Sequence, residues 1–102
     1  MNPDLVGRKS EIETLCRRYR VRRLELFGSA TTDRYRPGDS DLDFLVEFEP
    51  LPVGAYADTY FGLLEALELL FGVPADLVVG SAIRNPFFRQ SVDQTKALLY
   101  AA

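Results

Sequence analysis

Leu24-Glu25-Leu26-Phe27-Gly28-Ser29, then eleven residues, then Asp41-Leu42-Asp43-Phe44-Leu45-Val46-Glu47-Phe48: the fold is decided in this stretch. Residues 22–27 read as a short strand with Leu24 and Leu26 on one face, ending abruptly at Gly28-Ser29. Residues 41–48 read as a second strand. Leu42, Phe44, Val46 and Phe48 recur at every second position and share the core face, so Asp41 and Asp43 fall together on the other. Between the strands a polar segment containing Pro37-Gly38 reads as a helical turn followed by a loop, and Pro50 and Pro52 close the second strand.

Working outward, a helix is expected to start near Ser10. Ser10 and Glu13 have the spacing of a capping box. Ile12, Leu15, Cys16 and Tyr19 follow as one buried stripe. Arg17, Arg18 and Arg20 sit at its end, where cations suit the helix dipole. Downstream, a longer helix is expected over about 56–71, with Tyr60, Leu63, Leu64, Leu67 and Phe71 as its stripe and Gly72 and Pro74 as its stop. Residues 76–79 read as a third strand. Asn85-Pro86 reads as a cap with proline at the first helical position, opening a last helix that carries Phe88, Val92 and Leu99. The fold class is α/β (α+β): a small mixed sheet of three to four strands with helices packed on it, in one domain over residues 1–102.

Composition narrows the chemistry. The chain has 102 residues, no histidine, one cysteine and a net charge of −3. Zinc sites of the His/Cys kind, Ser-His-Asp triads and histidine bases are therefore excluded, and any metal must be held by oxygen. Cys16 has no cysteine to pair with and falls on a buried stripe. The slight negative charge argues against broad nucleic-acid binding, although Arg17, Arg18, Arg20, Arg22 and Arg23 crowd seven residues. That cluster reads as a solvated helix end, with a surface for an acidic partner or RNA as the alternative. No apolar run approaches the ~20 residues of a membrane span, and the first four residues lack the pattern of a signal peptide, so a cytoplasmic location is expected.

Two carboxylates two residues apart on one strand face disfavour each other's ionisation unless a cation lies between them. A turn accounts for Asp41, but not for Asp43 inside an apolar strand. Magnesium fits, because it takes one or two carboxylates and completes its shell with phosphate oxygens and water. Gly28 ends a strand where the backbone can approach a ligand, and Ser29 offers an N–H and a hydroxyl at the start of a helical turn. Jointly they describe a site for a nucleoside triphosphate with magnesium. Asp76, at the start of the third strand, is the candidate third acid of a two-ion site if that strand lies beside the second. Arg34 and Arg36 are candidates for contact with triphosphate or acceptor. Asp39, Glu47, Tyr56 and Tyr60 read as structural.

These segments, with Ala75-Asp76-Leu77-Val78 and Arg84-Asn85-Pro86-Phe87-Phe88, resemble the minimal nucleotidyltransferases of the DNA polymerase beta-like superfamily over nearly the whole chain. The resemblance implies the nucleotidyltransferase fold. It implies Asp41, Asp43 and Asp76 as catalytic metal ligands and Gly28 and Ser29 as the phosphate-binding pair. It further implies an antitoxin of a HEPN/MNT pair that moves AMP from ATP onto a tyrosine of a HEPN-domain ribonuclease toxin. Residues 30–40 depart from the usual Ala-Arg-Gly of that loop and are one residue longer. Two other readings keep the fold: an inactive module that masks its partner with vestigial acids, and transfer to a small-molecule hydroxyl.

Overall fold

A computed structural model describes residues 7–31 and 41–102. Its elements are α1 (Lys9–Arg18), β1 (Val21–Phe27), a 3-10 turn (Gly28–Thr31), β2 (Leu42–Phe48), α2 (Tyr56–Phe71), β3 (Ala75–Val79), a second 3-10 turn (Gly80–Ala82), α3 (Pro86–Thr95) and β4 (Ala97–Ala101). The strand order is β3-β2-β1-β4. β1 pairs antiparallel with both β2 and β4, whereas β2 and β3 are parallel. A parallel pair needs a long crossover, and α2 supplies it. The expected Pro37-Gly38 turn, Asp39, Arg34 and Arg36 lie outside the described residues, as do the first four.

The core is built on the face that period-two alternation assigned to it. Leu24, Leu26, Leu42, Phe44 and Val46 are fully buried there, against Ile12 and Cys16 of α1 and Leu63 and Leu67 of α2. Burial pushes the Cys16 thiol up to about 12, with Glu13 adding to it, so this cysteine is packing rather than chemistry. α2 has the expected bounds. Gly72 ends it in the left-handed region (φ +71°), its N–H donating to Glu68 O at 2.8 Å.

Two expectations need correction. α1 starts at Lys9, so Ser10 lies inside the helix and makes no capping box; no side chain caps that end. The last helix stops at Thr95, and Leu99 belongs to a fourth strand that pairs with β1. The second sheet face is also covered in part. Phe27 and Leu45 pack there with Val92 of α3, and Glu25 is buried beside them, 3.2 Å from the Arg23 guanidinium. The Asn85 cap is as expected: its Oδ1 accepts from the N–H groups of Phe87 (2.9 Å) and Phe88 (3.3 Å).

Candidate active site

Strand register brings the chemistry to one end of the sheet. Phe27 stands opposite Asp43, and Asp43 opposite Asp76, so the three form a row across β1, β2 and β3 on the face that α3 covers. Asp43 is half-buried, while Asp41 and Asp76 are exposed. Burial, then the Asp76 charge and hydrogen bonding to its side chain, then the Asp41 charge, raise the Asp43 carboxyl from 3.8 to about 6. A cavity of about 400 Å³ opens over this pair, walled by Phe27, Tyr60, Leu64 and Phe88.

The structure thus unites Asp43 with Asp76 and leaves Asp41 just ahead of β2, acting on Asp43 through its charge. Among the described residues no three acidic side chains converge into a ready-made cation cage. The donor set still fits magnesium. Asp43 and Asp76 on neighbouring strands, with Asp41 close by, offer the hard oxygen ligands that magnesium takes, and phosphate oxygens would complete its shell.

Gly28 serves the site in a way its sequence position did not reveal. Its φ is +75°, and a Cβ there would lie 2.7 Å from Asp43 Oδ2. Its N–H donates to Thr95 Oγ1 at 2.9 Å, which ties the end of β1 to the end of α3. That N–H is therefore spent on the fold rather than offered to a ligand. A Gly28→Ala variant carries both the left-handed strain and the collision with Asp43. It is expected to lose about 1–2 kcal/mol of stability and at least about tenfold in activity, read by thermal melting and a transfer assay.

Two residues of α2 gain a role that periodicity assigned only to packing or left unremarked. The Tyr60 hydroxyl donates to the Leu77 carbonyl, and Glu68 Oε2 accepts from the Ala75 N–H at 3.0 Å. β3 is thereby clamped on either side of Asp76. Burial, then Tyr56 and Asp76, raise the Tyr60 phenol above its usual value, so it stays a donor at neutral pH. Glu47 is half-buried, with its carboxylate against Gly80, away from the acid pair.

The Asp43 carboxyl also sets a pH dependence. It holds its proton in the folded chain up to about 6 but would ionise near 3.8 when unfolded. Its contribution therefore favours folding at acid pH, weakens as pH rises through that window, and opposes folding above it. Solvent screening limits the effect to about 1 kcal/mol. In chelator, the melting-temperature difference between parent and Asp43→Asn is expected to widen from about pH 5 to about pH 7.5, the variant being the more stable at the upper end. Parallel profiles would contradict the carboxyl pairing.

A mixed sheet that presents paired carboxylates beside a glycine-serine turn defines a nucleotidyltransferase domain. The chain belongs to that family: the nucleotidyltransferase domain profile matches residues 9–98. It is similar to protein adenylyltransferase MntA of Thermococcus cleftensis, 35% identical over 81 residues, or 79% of this chain and 75% of that one. A solved structure provisionally assigned as a minimal nucleotidyltransferase is 34% identical over 91% of this chain and 90% of that chain, with a TM-score of 0.71. A structure of a tri-AMPylated Shewanella oneidensis HEPN toxin in complex with MNT antitoxin shares the fold at 18% identity, covering 96% of this chain and 73% of that one, with a TM-score of 0.64. Among the described residues no helix is long and apolar enough to cross a membrane.

Proposed function

We propose that this chain is a magnesium-dependent protein adenylyltransferase. It moves AMP from ATP to a tyrosine hydroxyl of a HEPN-type toxin and so acts as the antitoxin, in the cytoplasm where ATP is supplied. The observation that carries this reading is the placing of Asp43 and Asp76 side by side on β2 and β3, with Asp43 Oδ2 within 3 Å of where a Gly28 side chain would stand. Such a pair has little structural merit and suits a cation and an incoming hydroxyl. The names of the Thermococcus and Shewanella proteins support the transferred group and the kind of partner.

Asp41 and Asp43, with Asp76 adjoining, would hold magnesium, which would supply positive charge at the phosphate oxygens. The rest of the task belongs to side chains. Ser29 orients the triphosphate. Asp43 holds the middle of the row in register between β1 and β3. Asp76, exposed at the rim, can take the proton of the attacking hydroxyl. Phe27, Leu64 and Phe88 exclude water from the reaction cavity. The mass of the partner purified with this chain tests the reading. An increase by one AMP, or by several, that depends on ATP and magnesium is expected. An unchanged mass after incubation with both would refute it.

A further inference from the structure

The sheet lays out a direction. Gly28 and Ser29 follow β1, Asp43 stands on β2 and Asp76 on β3, and β3 is the edge of the sheet on that side. In phosphoryl transfer the attacking and leaving oxygens lie roughly in line on opposite sides of phosphorus. With the triphosphate tail at Ser29, pyrophosphate departs on the β1 side. The acceptor hydroxyl must then arrive from the β3 side, past Asp76.

A second hollow lies there. It measures about 630 Å³ and runs between Tyr56 and Tyr60 of α2 and the segment carrying Ile83, Arg84, Asn85 and Phe88. It adjoins the reaction cavity, with Tyr60, Leu77, Val78 and Phe88 lining both. Its size falls in the range of about 300–1,000 Å³ usual for sites that enclose a ligand. The Tyr56 and Tyr60 rings stack with centroids 6.3 Å apart, and Tyr56 is half exposed. Phe88, 40% exposed, lines the same hollow and meets Phe27 in a T-shaped ring contact. Arg84 donates from its guanidinium to Ser81 O at 2.9 Å, which fixes a cation in the exposed part of the lining.

We propose that this hollow seats the tyrosine-bearing segment of the acceptor protein, with Tyr56, Tyr60 and Phe88 gripping the chain around the acceptor ring and Arg84 engaging an acidic residue near it. The inference rests on the adenylyltransferase reading above and deepens it. Three features select this occupant: the hollow's position beside the reaction cavity with four shared lining residues, its place on the in-line entry side, and its aromatic walls, which suit a tyrosine and its neighbours. Charge fixes the polarity of the segment. The reaction end is acidic through Asp43 and Asp76, so an acidic residue of the acceptor is repelled there and drawn to Arg84 instead. In the transfer, the tyrosine oxygen bonds to the α-phosphorus of ATP. The bond from that phosphorus to the bridging oxygen breaks, pyrophosphate leaves with the electron pair, and the hydroxyl proton passes to the Asp76 carboxylate.

The test is steady-state transfer of labelled AMP to the partner protein, comparing the parent chain with Tyr56→Ala and Arg84→Glu. Both side chains are exposed, and melting temperatures check that folding is kept. The expected result is a rise of about tenfold in KM for the acceptor protein, with KM for ATP held within about twofold. A rise in KM for ATP instead would make the hollow the seat of the nucleoside and overturn the proposal. No change in either constant would overturn it as well. If the parent chain itself transferred no AMP to any protein, the adenylyltransferase reading would fall first, and that outcome is distinct from the other two.

Discussion

Asparagine at both Asp41 and Asp43 is expected to lower AMP transfer at least about a thousandfold, equivalent to roughly 4 kcal/mol of lost transition-state stabilisation. The amides keep the shape of the carboxylates and remove their charge. On the proposed magnesium reading, no charged pair then gathers a cation at the triphosphate, and Asp76 loses its carboxylate neighbour on β2. The same double variant is expected to fold at least as well as the parent at neutral pH in chelator, because the half-buried Asp43 charge opposes folding there. Loss of activity and loss of structure thus part company. Labelled transfer and thermal melting on one preparation measure both. Undiminished transfer would refute the metal site, and a variant that lost transfer but still protected cells from the partner would show that docking alone suffices.

How much of this was legible in the sequence depends on how local each cause is. α2 was read with its full bounds because its signals are local: a stripe at helical spacing, and a glycine stop that does adopt the left-handed conformation. β2 was read correctly for the same reason, since alternation of Leu42, Phe44 and Val46 needs no partner to be seen. β4 was missed. Ala97-Leu98-Leu99-Tyr100 is a short apolar run following a helix with no turn signal between them. Such a run is helix or strand according to whether an open sheet edge is within reach. β1 offers that edge, pairing Glu25 with Leu98 from across the chain.

The site shows the same division. Asp43 was conspicuous as a carboxylate in an apolar strand. That Asp76 lies directly beside it follows from the parallel register of β2 and β3, which α2 sets and no short motif encodes. Gly28 was singled out for approach to a ligand, but what excludes a side chain there is Asp43. Thr95, which holds the Gly28 N–H from 67 residues away, carried no signal at all. The clamp of Tyr60 and Glu68 on β3 was likewise hidden, because helical spacing explains Tyr60 as packing and Glu68 as an ordinary surface residue.

Phe44→Ala is expected to cost about 3–5 kcal/mol, the largest stability loss of any single change considered. Phe44 is fully buried in β2 between β1 and β3, opposite Leu26 and Leu77, with its ring 6.0 Å from that of Phe71. Truncation leaves a cavity at the centre of the sheet that rigid neighbours cannot fill. A domain of this length has roughly 5–15 kcal/mol in all, so the variant stands near the folding threshold, with a melting temperature lowered by roughly 15–30 °C. Leu69→Ala, at a side chain 78% exposed, should change stability by less than about 0.5 kcal/mol and serves as the control. Transfer by Phe44→Ala should recover on cooling as the folded fraction returns, whereas transfer by the Asp43 variants should stay absent at every temperature. Residues 43 and 44 are covalent neighbours, but alternation sends one to the site and the other to the core. If cooling failed to restore transfer to Phe44→Ala while its melt showed a folded chain, the core face would be shaping the acid row directly, and the separation of roles by sheet face would be wrong.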